Sequence, residues 1–330
     1  MKKTVLYLLG GLLVLYLFGA FFSITNAEAK EIVLKGATAW PPNDSMSTGP
    51  FFLFQNMANK RLKGKLRIEY VGGPEIIPSR QLIEALRTGI VDVALLSVAY
   101  YQRAAPEVAV LNLSELNHRA LRENGFYEAF NEIHRKKLNT FYYAWANGEG
   151  LRTVTYLTKK IEKPNFSGLK IRSSASYIPL LKALGAAPVV LPPPEIYTAL
   201  ERGVIDGMCW PNMGITDWSW HEVIKFMIDH EFHRGGAVVL FNLDTWKGLD
   251  ESLQKALLEM STILEDESAK LCMKLRSQYR KLYQASGVEF ITFSTEDTKK
   301  YQDTIREASN KDFLARNPES GPSLLNLVTR

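Results

Sequence analysis

Short β-type runs alternate with helix-type runs along most of this chain. Residues 31–40 and 65–71 alternate apolar and polar side chains as half-buried strands do, and residues 90–96 form a third short apolar run. Between them lie two helix patterns. One spans about residues 50–61, with Phe51, Phe54 and Met57 on one face; the other runs from Pro78 or Ser79 to Arg87. Strand, helix, strand, helix, strand predicts a parallel, doubly wound sheet. The second half repeats the theme. Strand patterns fall at residues 140–146, 152–157, 169–172, 189–191 and from Val204, and helix patterns at residues 176–184, 194–202 and 215–229. Residues 236–242 read as a return strand. From Asp250 to Ser286 there is no Gly or Pro, which predicts a helix on the order of 50 Å long at about 1.5 Å per residue. Its apolar positions keep no clean heptad, so it reads as a brace across two lobes rather than a coiled coil. Residues 289–293 form a last strand pattern and 295–308 a last helix, capped by Ser294 or Thr295.

One unit occurs twice. Ala85-Leu-Arg-Thr-Gly89-Ile-Val-Asp92-Val matches Ala199-Leu-Glu-Arg-Gly203-Val-Ile-Asp206-Gly: a helix end, a glycine stop, two β-branched residues and an aspartate. A single repetition in α/β surroundings predicts two similar lobes rather than a solenoid, which needs at least three repeats.

The amino terminus changes the picture of where the protein works. Lys2-Lys3 precede an unbroken apolar run from Val5 to Phe22, and Ala27-Glu28-Ala29 offers a small-x-small cleavage site, so residues 1–29 read as a signal peptide. The apolar run is close to the minimum for spanning a bilayer, so an uncleaved anchor is the competing reading. Either places the body of the protein outside the cytoplasm. Taking Lys2, Lys3 and Glu28 from 40 basic and 35 acidic residues leaves a net charge of about +4, a weak bias toward anionic ligands. The basic residues are scattered; the cluster His134-Arg-Lys-Lys137 reads as the solvated face of a helix, and no nucleic-acid partner is expected. Cys209 and Cys272 read as two separate buried thiols.

The run Gly168-Leu-Lys-Ile-Arg172, then Leu184-Gly185-Ala186, then Tyr197-x-Ala-Leu-x-x-Gly-Val-x-Asp206-Gly207, with Trp246-Lys-Gly-Leu249 downstream, resembles the periplasmic solute-binding proteins of TRAP (tripartite, ATP-independent) transporters, the DctP family. The resemblance covers nearly the whole chain after the leader. It implies a two-lobed α/β periplasmic binding protein, type II-like and of the Venus-flytrap kind, with a long helix bracing both lobes. On that frame residues 30–150 form lobe I, to which about 236–260 return, and 151–235 form lobe II. Residues 250–286 are the connecting helix, and 287–330 a C-terminal segment packing on lobe II. The implied function is an extracytoplasmic receptor that takes a small organic acid into the interlobe cleft and delivers it to an ion-driven permease of a small and a large membrane subunit.

In open α/β sheets ligands bind beyond the carboxyl ends of the strands, which points to Trp40, Asn43, Glu75, Ser97, Tyr100, Arg172, Ser173, Ser176, Cys209 and Trp210. A guanidinium offers two parallel N–H donors to a carboxylate, and the resemblance implies that role for Arg172, with Arg152 as a second, assisting arginine. It also implies a ligand contact at Trp210, just before Pro211. The chain departs from the family in two places: Cys209 stands where an acidic residue is common, and Ser-Ser-Ala-Ser follows Arg172. Carboxylate is therefore expected, but no particular acid. Trp40, Trp210 and Trp218 near these motifs hint at an apolar or aromatic one. No glycine-rich nucleotide loop, Gly-x-Ser-x-Gly or His-Glu-x-x-His occurs, so neither an enzyme nor a cofactor is expected. His230-Glu-Phe-His233 lacks a third ligand and reads as solvated histidines rather than a metal site. The alternative from another class is a membrane-anchored enzyme or sensor domain with Cys209 as its reactive group.

Overall fold

A computed structural model of the chain describes residues 30–148 and 150–329. The leader read from residues 1–29 lies outside them. Eleven strands among the described residues form two sheets. They are β1 (Ile32–Thr38), β2 (Leu66–Gly72), β3 (Val93–Ser97), β4 (Thr140–Ala146), β5 (Arg152–Leu157), β6 (Lys170–Ser173), β7 (Ala187–Val190), β8 (Gly207–Pro211), β9 (Phe226–Arg234), β10 (Ala237–Asn242) and β11 (Glu289–Ile291). The first sheet has the order β2-β1-β3-β10-β4, the second β11-β9-β5-β8-β6-β7. Neither is purely parallel. The return strand β10 runs antiparallel to both β3 and β4, and β5 runs antiparallel to β8 and β9.

Each sheet is covered on both faces, which explains the continuous apolar strands in the middle of the chain. In β3, Ala94 and Leu96 face one lobe I core while Val93 and Leu95 face the other. In lobe II, Val154, Tyr156 and Met208 face one core, and Ile171 and Cys209 the opposite one. The two copies of the repeated unit occupy equivalent places. Gly89 and Gly203 stand at φ +74° and +68°, where a side chain would be strained, and each is followed by an exposed Ile90 or Val204 and a buried Val91 or Ile205.

The long helix spans Glu251–Ala285, 35 residues capped by Asp250, whose carboxylate accepts the Leu253 N–H. Leu253, Leu257, Met260 and Leu264 pack into lobe I, and Tyr283 into lobe II. Ion pairs fix both halves: buried Glu265 accepts from Arg122 of lobe I at 2.6 Å, and Arg280 grips Asp229 of lobe II with two bonds.

Four local expectations need correction. The first helix is Ser45–Arg61, opening five residues early because Asp44 caps it and Pro50 is accommodated inside it. The helix expected over residues 215–229 is replaced by one 3-10 turn, Trp220–Glu222, and by β9. Buried Ile215, Trp220 and Ile224 imitate a helical period, but Ser219 sits at φ +57° between them and Phe226–Ile228 pair with β5 and β11. The C-terminal segment divides between the lobes. Within the helix Thr295–Arg316, Tyr301 and Ile305 pack on lobe II, whereas Phe313 and, from the added helix Gly321–Val328, Leu324, Leu325 and Val328 join the lobe I core. Finally, His134 is not on a solvated face. It is buried, bonded to Tyr101 and to the Phe130 carbonyl.

Candidate functional site

Strands β6 and β8 deliver Arg172 and the residue pair Cys209-Trp210 side by side at the carboxyl end of the lobe II sheet, with Arg172 in register with Met208. Arg172 is 7% exposed. Its Nε–H donates to the Leu191 carbonyl at 3.1 Å, and Nη1 reaches the Cys209 carbonyl at a long 3.4 Å. A guanidinium carries five N–H donors, so three remain without a partner among the described residues. Among the described residues no carboxylate pairs with it. The ionisable groups that act on it are Tyr177, Cys209 and Tyr100, and burial pulls its pKa down from the usual arginine value. A buried arginine lacking an acidic partner is costly, and the cost falls if a carboxylate arrives from outside.

Aromatic rings enclose this cation. The Arg172 guanidinium lies over the Trp210 indole, 5.1 Å from its centroid. Trp210 stands edge-on to buried Trp220 at 4.8 Å, and Trp218 stacks on Trp220 at 5.3 Å. From lobe I, Tyr100 comes within electrostatic reach of Arg172 and packs on Trp40 at 5.6 Å. Lobe I also sends Gln102, whose amide donates to Ser176 Oγ across the lobes at 3.0 Å.

The other expected site residues are placed as follows. Ser97 caps the short helix Val98–Tyr101 that carries Tyr100, accepting the Ala99 N–H. Ser173 is buried and donates to the Ser174 carbonyl. Asn43 and Glu75 are exposed; the Glu75 carboxylate accepts the Gly73 N–H at 2.6 Å, which holds its pKa below the ordinary value and fixes the turn after β2. The Cys209 thiol points into the core beside Thr155, and burial pushes it up to about 12. That is the reverse of an activated nucleophile, so the reading of Cys209 as a reactive group fails on its surroundings. Cys272 is likewise a free, buried thiol.

Arg152 is not gathered with Arg172. It lines a separate cavity of about 790 Å³, together with Glu115, His233, Arg234, Arg276 and Arg280, and Arg172 is not among the residues of that wall. The cations of this cavity are largely compensated. Arg276 pairs with Glu231, Arg280 with Asp229, and Arg234 donates to two backbone carbonyls. Of the two histidines expected to be solvated, His233 bonds Ser309 and His230 accepts the Phe293 N–H. Among the described residues no group of three or more metal-ligating side chains occurs.

Five residues near the site escape sequence reasoning: Asp44, Arg80, Gln102, Tyr177 and Asp217. Tyr177 bonds Thr153 and stacks edge-on against Phe232; nothing in the local sequence separates it from an ordinary helix-start tyrosine. Asp44 and Asp217 come from different lobes and interact electrostatically, a relation only tertiary structure reveals.

Comparison with known proteins adds the following. A family model described as bacterial extracellular solute-binding protein, family 7, matches residues 36–315. The 2,3-diketo-L-gulonate-binding periplasmic protein YiaO of Escherichia coli is 25% identical over 284 residues, covering 83% of this chain and 85% of its own. The C4-dicarboxylate-binding periplasmic protein DctP of Rhodobacter capsulatus is 23% identical over 296 residues, covering 84% and 86%. Among solved structures, a TRAP periplasmic solute-binding protein of Marinobacter aquaeolei superposes with a TM-score of 0.81 at 21% identity, over 91% of this chain and 100% of the other. Another from Desulfovibrio salexigens, with bound orotic acid, gives 0.77 at 21%, over 90% and 97%. The structural likeness establishes the two-lobed fold.

Proposed function

The chain belongs to the bacterial extracellular solute-binding proteins of family 7, and on that premise we propose that it captures a small organic acid between its lobes, with Arg172 clamping the carboxylate, and delivers it to a TRAP membrane permease. The observation that carries this reading is the buried Arg172 guanidinium, with three N–H donors unmatched and no acidic partner among the described residues. A carboxylate accepts two of those donors in parallel, and exclusion of water strengthens the pair. The names of relatives that bind 2,3-diketo-L-gulonate and C4-dicarboxylates support an acid as the ligand.

Mechanistically, the ligand first meets Arg172 on lobe II, and contacts from Tyr100 and Trp40 of lobe I then favour closure. Ligand shifts the open–closed balance only by its difference in affinity for the two states. The permease reads the closed form. Residues 1–29 act as a cleaved leader, which mass spectrometry of the exported protein tests through a mature start at Lys30.

The clamp is tested by thermal unfolding of the protein against a panel of carboxylates. A ligand that binds only the folded state stabilises it by about 2.7 kcal/mol at a hundredfold excess over its dissociation constant. That stabilisation disappears in Arg172→Ala and Arg172→Gln variants that remain folded. Retained affinity in both variants refutes the assignment.

A further inference from the structure

We infer that the ligand of the Arg172 site is a flat aromatic monocarboxylate rather than a dicarboxylate or a polyhydroxylated sugar acid, an inference that rests on Arg172 being the carboxylate clamp.

Three features of the site lead there. The first is the count of cations. Arg172 is the single arginine in the buried class among the described residues, and it lacks an acidic partner, so one carboxylate compensates it. Beyond it the charge is mixed. Asp44 of lobe I is within electrostatic range of Tyr100 and of Asp217 of lobe II. The exposed Arg80, also in range of Tyr100, offsets Asp44 there without creating a second buried cation. A second carboxylate on the ligand would therefore approach Asp44 and Asp217 with no buried counter-ion to receive it.

The second feature is the supply of hydroxyl partners. Several hydroxyls near Arg172 in the chain already have a partner inside the protein, though Ser176, and Ser97 of lobe I, only accept and keep their own O–H. Ser173 donates to Ser174 O, Ser176 accepts from Gln102, and Tyr177 bonds Thr153. On the lobe I side, Ser97 is committed to capping its helix. A sugar acid buries several hydroxyls, and each one left unpaired is penalised strongly, which is how polar sites reject or select by a single group.

The third feature is the walls. Trp210 lies against the guanidinium itself and offers its ring as a wall, while its buried indole N–H has no nitrogen or oxygen partner among the described residues and leaves one donor for an acceptor on the ligand. Trp220 and Trp218 back it from behind, which fixes its orientation. Lobe I supplies Trp40 and Tyr100. A carboxylate paired in parallel with a guanidinium lies near the guanidinium plane, and in an aromatic acid the ring continues that plane. Such a ring gains stacking and edge contacts from Trp210 on one lobe and Trp40–Tyr100 on the other.

The test is isothermal titration of the purified protein with benzoate, phenylacetate and indole-3-carboxylate, against succinate and D-glucuronate, with tryptophan fluorescence as a second readout. The ranking in the unmodified protein decides the class without depending on any variant. At least one aromatic acid is expected to bind tenfold or more tighter than both succinate and glucuronate and to perturb tryptophan emission. Trp210→Ala is expected to weaken that ligand at least tenfold, and Trp210→Phe by less, since Phe keeps the wall and loses only the N–H. If succinate or glucuronate binds tightest, and Arg172→Gln abolishes it, the aromatic class is overturned while the clamp stands. If no acid binds in an Arg172-dependent way, clamp and class fall together.

Discussion

Gln102 of lobe I donates its side-chain amide to Ser176 Oγ of lobe II at 3.0 Å, four residues beyond Arg172. The bond crosses between the lobes in the turn that follows the strand presenting the clamp, so it belongs to the energetics of closure. A neutral hydrogen bond contributes about 0.5–1.5 kcal/mol net. Gln102→Ala is therefore expected to weaken ligand binding roughly twofold to tenfold and to widen the ligand-free particle in small-angle scattering. Unchanged scattering and affinity would show that the bond holds local structure and not the lobes.

The twin aspartates give a prediction for each lobe. Asp92 accepts the Lys35 N–H at 2.8 Å and the Thr245 hydroxyl; Asp206 accepts the Lys170 N–H at 2.9 Å and pairs with Lys159. Each carboxylate ties the start of one strand to its neighbour. Replacement by Ala should cost about 1–3 kcal/mol at either site, and Asn should recover part of it, since one acceptor remains. The Lys170 N–H, foremost, holds the Asp206 pKa below the ordinary carboxylate value. Its contribution is thus complete above the unfolded pKa of about 3.9 and is lost as pH falls through the lower folded value. Chemical unfolding of Asp206→Ala between pH 2 and 7 should show the difference from the parent shrinking only at the acid end.

Why these aspartates were legible in the sequence while other features were not has a physical basis. The repeated Gly-x-x-Asp is local in its backbone: the glycine's positive φ, the β-branched pair and the aspartate lie within a few residues, so the pattern marks the turn into the strand, although each carboxylate's partner is a distant strand. Arg172 and Trp210 were reachable because strand ends follow from alternation and family resemblance. The lobes' halves were legible for the same reason, and the long helix from its lack of Gly and Pro. Residues 215–229 misled because buried Ile215, Trp220 and Ile224 satisfy a helical spacing while the backbone, turned at Ser219, runs on into β9 between β5 and β11. Arg152 was set beside Arg172 by the family resemblance, while in the structure it lines a cavity whose wall does not include Arg172. The crossing of Phe313 and Leu324 into lobe I depends on which core is short of cover, and no local pattern reports that.

Acid should also loosen lobe I through His134. Its Nδ1–H donates to the Phe130 carbonyl at 2.8 Å and its Nε2 accepts from Tyr101, an arrangement that holds the neutral ring. Burial lowers its pKa to about 4. The unfolded chain takes up a proton near pH 6.5 and the folded one does not, so stability falls as pH drops from about 6.5 toward 4. The loss amounts to on the order of 3 kcal/mol at the lower end. His134→Leu should be less stable at neutral pH, because Tyr101 loses its partner, but should show a flatter dependence between pH 4.5 and 7. An unaltered slope would place the acid sensitivity elsewhere.

Gly207 joins the repeat to the site and allows the sharpest contrast. It is paired with Leu157 on β5 and with Ile171 on β6, and a Cβ there would stand 2.3 Å from the Tyr156 carbonyl oxygen and 2.8 Å from a Leu157 methyl. Backbone oxygen in mid-sheet cannot step aside, so Gly207→Ala must spread β8 from β5, at about 3 kcal/mol. The adjacent pair in the β6–β8 register is Arg172 with Met208, so the same displacement moves the clamp, and ligand affinity should fall along with stability. Gly203 is the control. It has φ +68° but nothing within 4 Å of an added Cβ, so Gly203→Ala should cost only the left-handed strain of about 1–2 kcal/mol and leave affinity intact. Thermal unfolding and titration of both variants separate the effects. Equal losses of affinity in the two would mean that lobe II stability in general governs binding, and not the seating of β6 against β8.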